Sequence, residues 1–364
     1  MSIEGIFIFE ISKWDGQTLP IINSDNSFTK LESSQKDNQV TVQFSFIDNG
    51  ATDDGLNFYQ TGFSEKNVTI IQWGGIPLSR NSLIPQYQPG SDNATNQLTY
   101  NGIFRQFNGK IVTKDTPMIL NNTNLQSCFL GVVIESKDYG NIGDWDTSKV
   151  TNMSYMFSAG DGTKYLESNF NQPIGDWDTQ NVTMMSAMFN GASQFNQPIG
   201  EWDTSKVTTM RGMFNRASQF NQPIGYWNTQ NVTDMLGMFA AFNRTKSKYL
   251  ESNFKQSIGD WDTQNVTDMS YMFKGTSKFN QPIGDWNTSN VTKMQEMFSG
   301  ASQFESDIRR WTVIKSTNLK SMFQEAKRFK RKYRVGDTPR YTFFNQNQKL
   351  ALTTIQKFLS ISGI

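Results

Sequence analysis

Residues 195–219 have the sequence FNQPIGEWDTSKVTTMRGMFNRASQ, and this stretch recurs along the chain with the same spacing of apolar side chains. One Trp marks each copy, and successive Trp residues lie 32, 25, 25, 34, 25 and 25 positions apart. The unit is therefore 25 residues long, with insertions of 7 and 9 residues in two copies. Such a period is typical of stacked repeat proteins. The Trp residues are Trp145, Trp177, Trp202, Trp227, Trp261, Trp286 and Trp311.

The pattern continues beyond the Trp series at both ends. Upstream, Leu125 and Cys128 fall where other copies have Met, which predicts that Cys128 lies in the core. Downstream, Leu319, Met322 and Phe323 belong to a last copy that ends at Ala326. We therefore expect eight copies within residues 121–326.

A single copy is too short to bury its own apolar face, so the copies must stack on one another. The β-branched pair Val207 and Thr208 favours a short strand. The apolar steps from Met210 to Met213 and Ala217 favour one or two helical turns. We predict a mainly β, right-handed solenoid with short helical turns, whose Trp residues form a stacked structural ladder. With coils about 4.8 Å apart, eight of them would span roughly 35–40 Å.

The two insertions are related to each other. Residues 164–170 recur almost unchanged at 248–254, 84 residues later, and a further step of 84 reaches Lys332. This period places the basic run 327–332 where a third insertion would stand. Loops at one repeat position line one face of a solenoid, and this face commonly binds partners. The candidate partner-binding residues are Lys164, Arg244, Lys246, Lys248, Lys327, Arg328, Lys330, Arg331 and Lys332.

The charge of these loops admits two interpretations. One is an edge that meets an acidic partner, either a protein or another polyanion, at three sites about 14 Å apart. The other is a set of tolerated surface bulges whose charges only interact with water.

The two ends of the chain show no 25-residue period. Residues 1–120 contain three strand-like segments, which lie at 5–10, 40–46 and 68–73, and we predict a β domain there, a sandwich or a barrel. Residues 327–364 form a basic C-terminal segment. Its predicted capping helix carries Leu352, Ile355, Phe358 and Leu359 on one face.

The composition excludes several kinds of site. The chain has 364 residues, one Cys and no His, which removes His-dependent hydrolases, His-ligated metal sites and internal disulfides. The net charge of +1 does not favour nucleic-acid binding. After Ala326, nine cations and one carboxylate give +8, which leaves −7 for the residues before it. We expect no secretory signal, no membrane span and no cofactor.

Repeated polar residues suggest further chemistry, in each case weakly. Asp pairs flank Trp145, Trp177 and Trp261, and stacked carboxylates of this kind could hold Ca²⁺. We favour turn hydrogen bonds for them, because every pair resembles its neighbours and an active site is singular. Rows of Thr resemble ice-binding surfaces, but internal hydrogen bonding is the more common role. We interpret the Trp ladder as core rather than a sugar platform. The Asn-x-Thr sequons follow from the repeat and are not taken as glycosylation sites.

The repeat signature W-[DN]-T-x-x-V-T-x-M-x-x-M-F-x-x-A-x-x-F-N-Q-P-I-G resembles the BspA-like leucine-rich repeat surface proteins. It is most similar to their 25-residue branch, which is abundant in Mycoplasma lipoproteins and occurs in protists and large DNA viruses. The similarity covers residues 121–326. It implies a non-enzymatic solenoid that lies on surfaces and binds proteins or matrix.

This chain differs from that family in lacking a recognisable export signal and lipobox. We therefore expect a structural, protein-binding component of a virion or capsid, located in the virion or in an intracellular assembly. The alternative is a surface adhesin that recognises a host protein or glycan. An enzyme with its site in residues 1–120 is the least favoured class.

Overall fold

The structure is a computed structural model that describes residues 2–11, 28–36, 39–47, 68–72, 77–78, 110–111, 115–119, 123–132, 140–160, 167–244 and 246–345. One α-helix lies in these ranges, α1 (Lys327–Tyr333), and 3₁₀ turns lie at Ile142–Asp144 and Tyr341–Phe343. The described chain is therefore mainly non-helical. Its strands are β1 (Ser2–Ile11), β2 (Phe28–Lys36), β3 (Gln39–Ile47), β4 (Val68–Gln72), β5 (Pro77–Leu78), β6 (Lys110–Ile111), β7 (Met118–Ile119), β8 (Thr123–Asn124), β9 (Val150–Asn152), β10 (Phe242–Asn243) and β11 (Lys248–Tyr249).

The N-terminal strands form a five-stranded sheet in the order β2-β3-β1-β4-β6. Its first four strands pair antiparallel, and β6 joins β4 in parallel. The three predicted strand segments correspond to β1, β3 and β4. Strand β2 was not predicted, because its sequence FTKLESSQK is too polar to stand out. It forms because β3 follows only two residues later and pairs with it.

The described strands do not close into the barrel that was one of our two expectations. Strands β2 and β6 are the two edges of the sheet, and they do not pair with each other. The buried side chains of Ile70, Ile111 and Ile119 belong to the same continuous core as those of the repeats. The N-terminal strands therefore pack on the repeats, and the domain boundary at residue 120 stays a prediction.

Successive repeats are joined by parallel β-bridges, one at the same position of each repeat and a second, Ser168–Ala192, after the first insertion. Thr209, for example, bridges Met184 on one side and Asp234 on the other. The predicted strand around Thr208 is thus reduced to a single bridged residue in most repeats. The bridges that join the repeats in this way are Asn152–Met184, Met184–Thr209, Thr209–Asp234, Asp234–Asp268, Asp268–Lys293 and Lys293–Asn318.

The residues after each bridge form separate turns rather than the expected helical turns. The Met213 N–H donates to Met210 O three residues back, at 3.1 Å. The Gly212 N–H instead donates to Leu236 O of the next repeat, at 2.8 Å. Gly212 and Arg216 have φ values of 61° and 60°. Left-handed residues such as Gly212 and Arg216 change the chain direction within each repeat, so a helix cannot continue through them. Alternate N–H groups therefore point to the neighbouring repeat.

Aromatic rings stack along the core in register. Rings of Phe189 and Phe214 lie 5.6 Å apart, and those of Trp177 and Trp202 lie 6.4 Å apart with planes 5° from parallel. Every Trp of the ladder is buried, as is Cys128, which confirms its predicted place in the core. The indole N–H of Trp202 donates to Ile174 O of the preceding repeat at 3.1 Å. Five other Trp residues repeat this bond, namely Trp177, Trp227, Trp261, Trp286 and Trp311.

The insertions leave the ring contacts unchanged. Within an uninterrupted repeat, the rings of Phe189 and Phe195 are 3.8 Å apart. Across the second insertion, Phe239 and Phe254 are also 3.8 Å apart. The extra residues therefore leave the stack as loops and do not enter its core.

The basic run 327–332 does not replace a third insertion. It forms most of α1, and Phe329 of this helix stacks on Phe304 at 5.4 Å and on Phe323 at 4.2 Å. Phe329 follows Phe304 by 25 residues, the normal repeat spacing. The 84-residue period predicted an insertion here because Lys332 and Tyr333 match the first two residues of the repeated segments 164–170 and 248–254. The buried Phe329 shows instead that the normal repeat spacing continues.

Residues 337–345 cover the last repeat. The Phe323 N–H donates to Asp337 O at 2.8 Å, and the Ser321 N–H donates to the Thr338 hydroxyl. The side-chain amide of Asn345 bonds both the N–H and the carbonyl of Val313, at 3.0 and 2.8 Å. These groups take the bonds that a further repeat would form. The capping helix predicted at Leu352–Leu359 lies outside the described residues.

A glycine stands two residues before six of the seven ladder Trp residues and brings neighbouring repeats into close contact. A Cβ on Gly200 would lie 2.6 Å from Pro223 O, a backbone atom of the next repeat. We expect Gly200→Ala to force the two repeats apart and to lower the free energy of unfolding by about 1–3 kcal/mol. Urea denaturation measures this change.

The matched control is Gly336→Ala, because a Cβ there would meet no atom within 4 Å. It should change the free energy of unfolding by no more than about 0.5 kcal/mol. Equal effects of the two substitutions would contradict the close contact.

Candidate functional site

Two rows of Thr side chains bond the neighbouring repeats, a buried row that includes Thr204 and an outer row that includes the exposed Thr208. The Thr208 hydroxyl donates to Thr183 O at 3.1 Å, and the Thr204 hydroxyl donates to Asn228 O at 3.0 Å. The same two bonds recur along both rows. The interpretation of the Thr rows as internal hydrogen-bond rows is confirmed. Since each hydroxyl proton is used within the stack, these rows hold the repeats together.

The asparagines of the sequons have a similar structural role. The side-chain amide of Asn231 donates to Ser205 O of the preceding repeat at 2.7 Å. Attachment of a glycan to this nitrogen would remove one donor proton and place a bulky group between two repeats. The amides of Asn181, Asn265 and Asn290 form the corresponding bonds.

Carboxylates form two rows on either side of the buried Trp ladder, and we call these rows the acidic columns. Their members are exposed except for the half-buried Asp178 and Asp262. The column before Trp contains Asp144, Asp176, Glu201, Asp260 and Asp285, and the column after Trp contains Asp146, Asp178, Asp203 and Asp262. Neighbours of a buried residue in extended chain point outward, which explains this placement. In the described ranges, no group of three His, Cys, Asp or Glu side chains is arranged to hold a metal ion.

The column after Trp forms the turn hydrogen bonds that we favoured for it. Asp203 Oδ1 accepts the Ser205 N–H at 2.8 Å, and Asp178 Oδ1 accepts the Gln180 N–H at 3.0 Å. Hydrogen bonds from the Ser148 and Ser205 side chains lower the pKa of Asp146 and of Asp203, respectively. These carboxyl groups therefore keep their negative charge at neutral pH.

The second insertion folds into a hairpin, residues 242–249, in which β10 and β11 pair antiparallel. Three of the candidate basic residues, Arg244, Lys246 and Lys248, are exposed on it. The hairpin folds back onto the stack, where the Tyr249 hydroxyl lies 2.8 Å from Ser299 Oγ. A Cβ on Gly300 would lie 2.6 Å from the Tyr249 ring, so this glycine leaves the space that the ring occupies.

A buried charge helps to fix the base of the hairpin. The Lys274 ammonium lies 3.8 Å from the centroid of the Phe242 ring and 2.5 Å from Glu296 Oε2. The side chains of Lys274 and Glu296 are 12% and 25% exposed, so water screens this contact weakly. The hairpin is thus attached at Phe242 and at Tyr249, while its three basic residues stay in water.

The remaining basic candidates lie on α1. Lys330 bonds Asp337 at 2.5 Å, Lys327 lies 3.8 Å from Glu325, and the Lys332 ammonium donates to Glu305 O at 3.0 Å. Arg328 and Arg331 are exposed, and neither forms an ion pair with the described residues. We call the cations of α1 together with Arg334 the basic end.

The hairpin and α1 leave the stack at the same corner of the repeat. Phe242 follows Ala241 on the turn after Phe239, and α1 begins at Lys327 on the equivalent turn after Phe323. The predicted partner-binding role of these cations stays a prediction, and Lys164 lies outside the described residues. The sequence analysis did not predict the attachment of Tyr249, because no local pattern indicates that the loop folds back over Gly275 and Gly300.

Tyr226 is a second feature that the sequence analysis did not single out. It occupies the column before Trp, between Glu201 and Asp260, and it is 94% exposed. The only signal was the break that it makes in the series of acidic residues. An aromatic side chain this exposed among carboxylates is a candidate contact for a cation.

A family model described as "Mycoplasma protein of unknown function, DUF285" matches residues 123–251 and 241–351. The two matches together span more than half of the chain. The chain belongs to this family. Comparison with curated proteins and with solved structures found no match.

The DUF285 matches include every Trp-marked repeat and α1, and they overlap at residues 241–251, where the hairpin lies. The five-stranded N-terminal sheet lies before them. In the part of this DUF285 chain that the structure describes, no helix has the length and apolar character needed to cross a membrane.

Burial raises the pKa of Tyr249, so the hairpin attachment should depend on alkaline pH. The folded chain binds this proton more tightly than the unfolded chain does. The stabilisation by Tyr249 is therefore complete below its usual pKa of about 10 and is lost as the pH rises through the higher folded value. Native chain and Tyr249→Phe should differ in unfolding free energy at pH 8, and this difference should shrink toward pH 11.

Tyr226→Phe is the control, since that side chain is almost fully exposed. Its difference from the native chain should stay near zero across the same pH range. A constant difference for Tyr249→Phe would contradict the assignment.

Proposed function

We propose that this DUF285 chain is a non-enzymatic protein-interaction scaffold, in which the repeats form a right-handed, leucine-rich-repeat-like solenoid resembling the BspA-like surface proteins. The regular bridges and hydrogen bonds between successive repeats support this proposal. They use the inward side chains for packing and leave rows of outward side chains for contacts with partners.

A scaffold suits the described surface better than an enzyme does. The exposed carboxylates recur with the same neighbours from repeat to repeat, and none of these pairs has a distinct environment. Catalysis needs one site with specifically placed groups, whereas binding of a large partner uses extended surfaces.

We further propose that the scaffold belongs to a virion or capsid-associated assembly, and the resemblance to repeats of large DNA viruses supports this choice. The alternative is an adhesin that recognises a host protein or glycan, supported by the resemblance to surface proteins. If the chain is an assembly component, quantitative mass spectrometry of purified particles should find it at a fixed ratio to the major capsid protein. Saturable binding of the purified chain to host cells, with no such fixed ratio, would favour the adhesin.

The surface that we propose for partner binding is the basic end, together with the basic residues of the hairpin. The exposed guanidinium groups of Arg328 and Arg331 carry this proposal, because they have no ion pair within the described residues. Arg forms bidentate hydrogen bonds with carboxylates and phosphates, so an acidic protein or another polyanion is the expected partner.

Charge reversal tests this surface. The double variant Arg328→Glu and Arg331→Glu should elute from immobilised poly-L-glutamate and from heparin at a lower salt concentration than the native chain. Exposed charges act over about 10 Å at 0.1 M salt, so the effect should be local. The control is Lys149→Glu with Lys206→Glu, which changes the net charge equally at exposed positions on other repeats. Equal shifts for the two variants would contradict a specific basic end.

A further inference from the structure

The part of the acidic columns in which every repeat carries both carboxylates lies far from the basic end of the same molecule. It runs from Asp144 to Asp203, and its last four carboxylates, Asp176 to Asp203, belong to the repeats of Trp177 and Trp202. Helix α1 is fixed at the other end, because Phe329 packs on Phe304 and Phe323 after the repeat of Trp311. Four further repeats follow that of Trp202 before α1, so α1 cannot fold back to these carboxylates without leaving the core.

The carboxylates of this stretch have unused capacity for cations. Asp176 and Glu201 are exposed, and neither forms an ion pair with another described residue. Asp178 accepts hydrogen bonds from its own turn. Asp203 accepts hydrogen bonds from Ser205, and the nearby Lys206 also stabilises its charge. Four negative charges therefore lie on two adjacent repeats.

The chain itself contains one example of a cation placed in these columns. In the last repeat, Arg310 occupies the position before Trp311 that other repeats fill with a carboxylate. Its guanidinium lies 3.8 Å from the carboxylate of Asp285 in the preceding repeat. An arginine aligned with the column before Trp thus reaches a column carboxylate at ion-pair distance.

The spacing of the cations on α1 matches the spacing of the columns. Side chains three or four residues apart on a helix have Cβ atoms about 5–6 Å apart. Arg328 and Arg331 are related in this way on α1, whereas Arg334 is the left-handed residue at which the helix ends. Along the stack, the Trp rings that carry the columns repeat at 6.1–6.5 Å. A helix that lies along the columns would therefore place about one cation on each repeat.

We propose that the basic end of one copy docks on the acidic columns of a second copy, at Asp176, Asp178, Glu201 and Asp203. This inference rests on the proposed role of the basic end as a surface for an acidic partner, and it names that partner. The two surfaces carry opposite charges, because one presents four carboxylates and the other presents the guanidinium groups of Arg328 and Arg331. This favours the contact over a contact between like ends.

Sedimentation velocity of the full chain tests the contact. At about 20 mM salt the native chain should show a mass that rises with concentration, and about 500 mM salt should abolish this rise by screening. Two variants, Arg328→Glu with Arg331→Glu and Asp176→Lys with Glu201→Lys, should each weaken self-association about tenfold or more. The control Lys255→Glu with Lys278→Glu changes two exposed residues that belong to neither the acidic columns nor the basic end, so this variant should associate like the native chain.

An equimolar mixture of the two variants separates a direct contact from an indirect effect. In the mixture, the variant with the altered columns still has a native basic end, and the variant with the altered helix still has native acidic columns. These two native surfaces can bind each other, so association should return. A native chain that stays monomeric at low salt, variants that associate like the native chain, or a mixture that stays monomeric would each overturn the proposal. A native chain that is monomeric but binds poly-L-glutamate through α1 would overturn the self-contact and leave the proposed acidic partner standing.

Discussion

The hydrogen bonds between successive repeats are the interaction on which the rest of the structure depends. Each repeat is too short to satisfy its own backbone, and its turns send alternate N–H groups to carbonyls of the next repeat. Thr hydroxyls and Trp indole N–H groups bond further carbonyls across the same gap. The aromatic columns can stack only because these bonds hold the repeats in register. The exposed rows of charge are a direct result of the same register.

Much of this arrangement follows from the 25-residue period. The period places Cys128 in the core, aligns the Trp residues in one ladder, and identifies the Thr rows as internal hydrogen bonds. These features depend only on whether a side chain points into the core or outward. Every copy of the repeat indicates the same orientation for a given position. Single positions in a repeat are therefore predicted by the consensus of all copies.

Features that occur once were harder to predict, and so was a backbone conformation that is unusual for the residue type that adopts it. The attachment of Tyr249 to Ser299 joins residues 50 positions apart, and nothing near either residue indicates it. The left-handed residues after each bridge were mistaken for helical turns, because Tyr155, Ala187 and Tyr271 adopt a positive φ although they are not glycine. The register of α1 depends on one buried side chain, Phe329, within a run of cations. In each case a tertiary contact outweighs the local preference.

The two kinds of surface differ in what they require of the chain. The acidic columns arise from the positions directly before and after each ladder Trp, which recur in successive repeats. Their charge therefore grows with the number of repeats. The basic end arises from one helix, whose Phe329 contacts the rings of Phe304, Phe323 and Phe343. The first surface is extended and periodic, and the second is compact and unique. A partner can therefore bind the stack at many equivalent places but can find its end at only one.

The covering of the last repeat by Asn345 has a consequence for how such a chain changes over evolutionary time. The Asn345 amide bonds Val313 in place of a further repeat, so the end of the array is defined by its own residues and not by the number of repeats before it. A genetic duplication of one 84-residue block would add three repeats and one hairpin, and it would leave that terminus intact. The reach of the molecule is thus free to lengthen or shorten in whole blocks while its terminus is inherited unchanged.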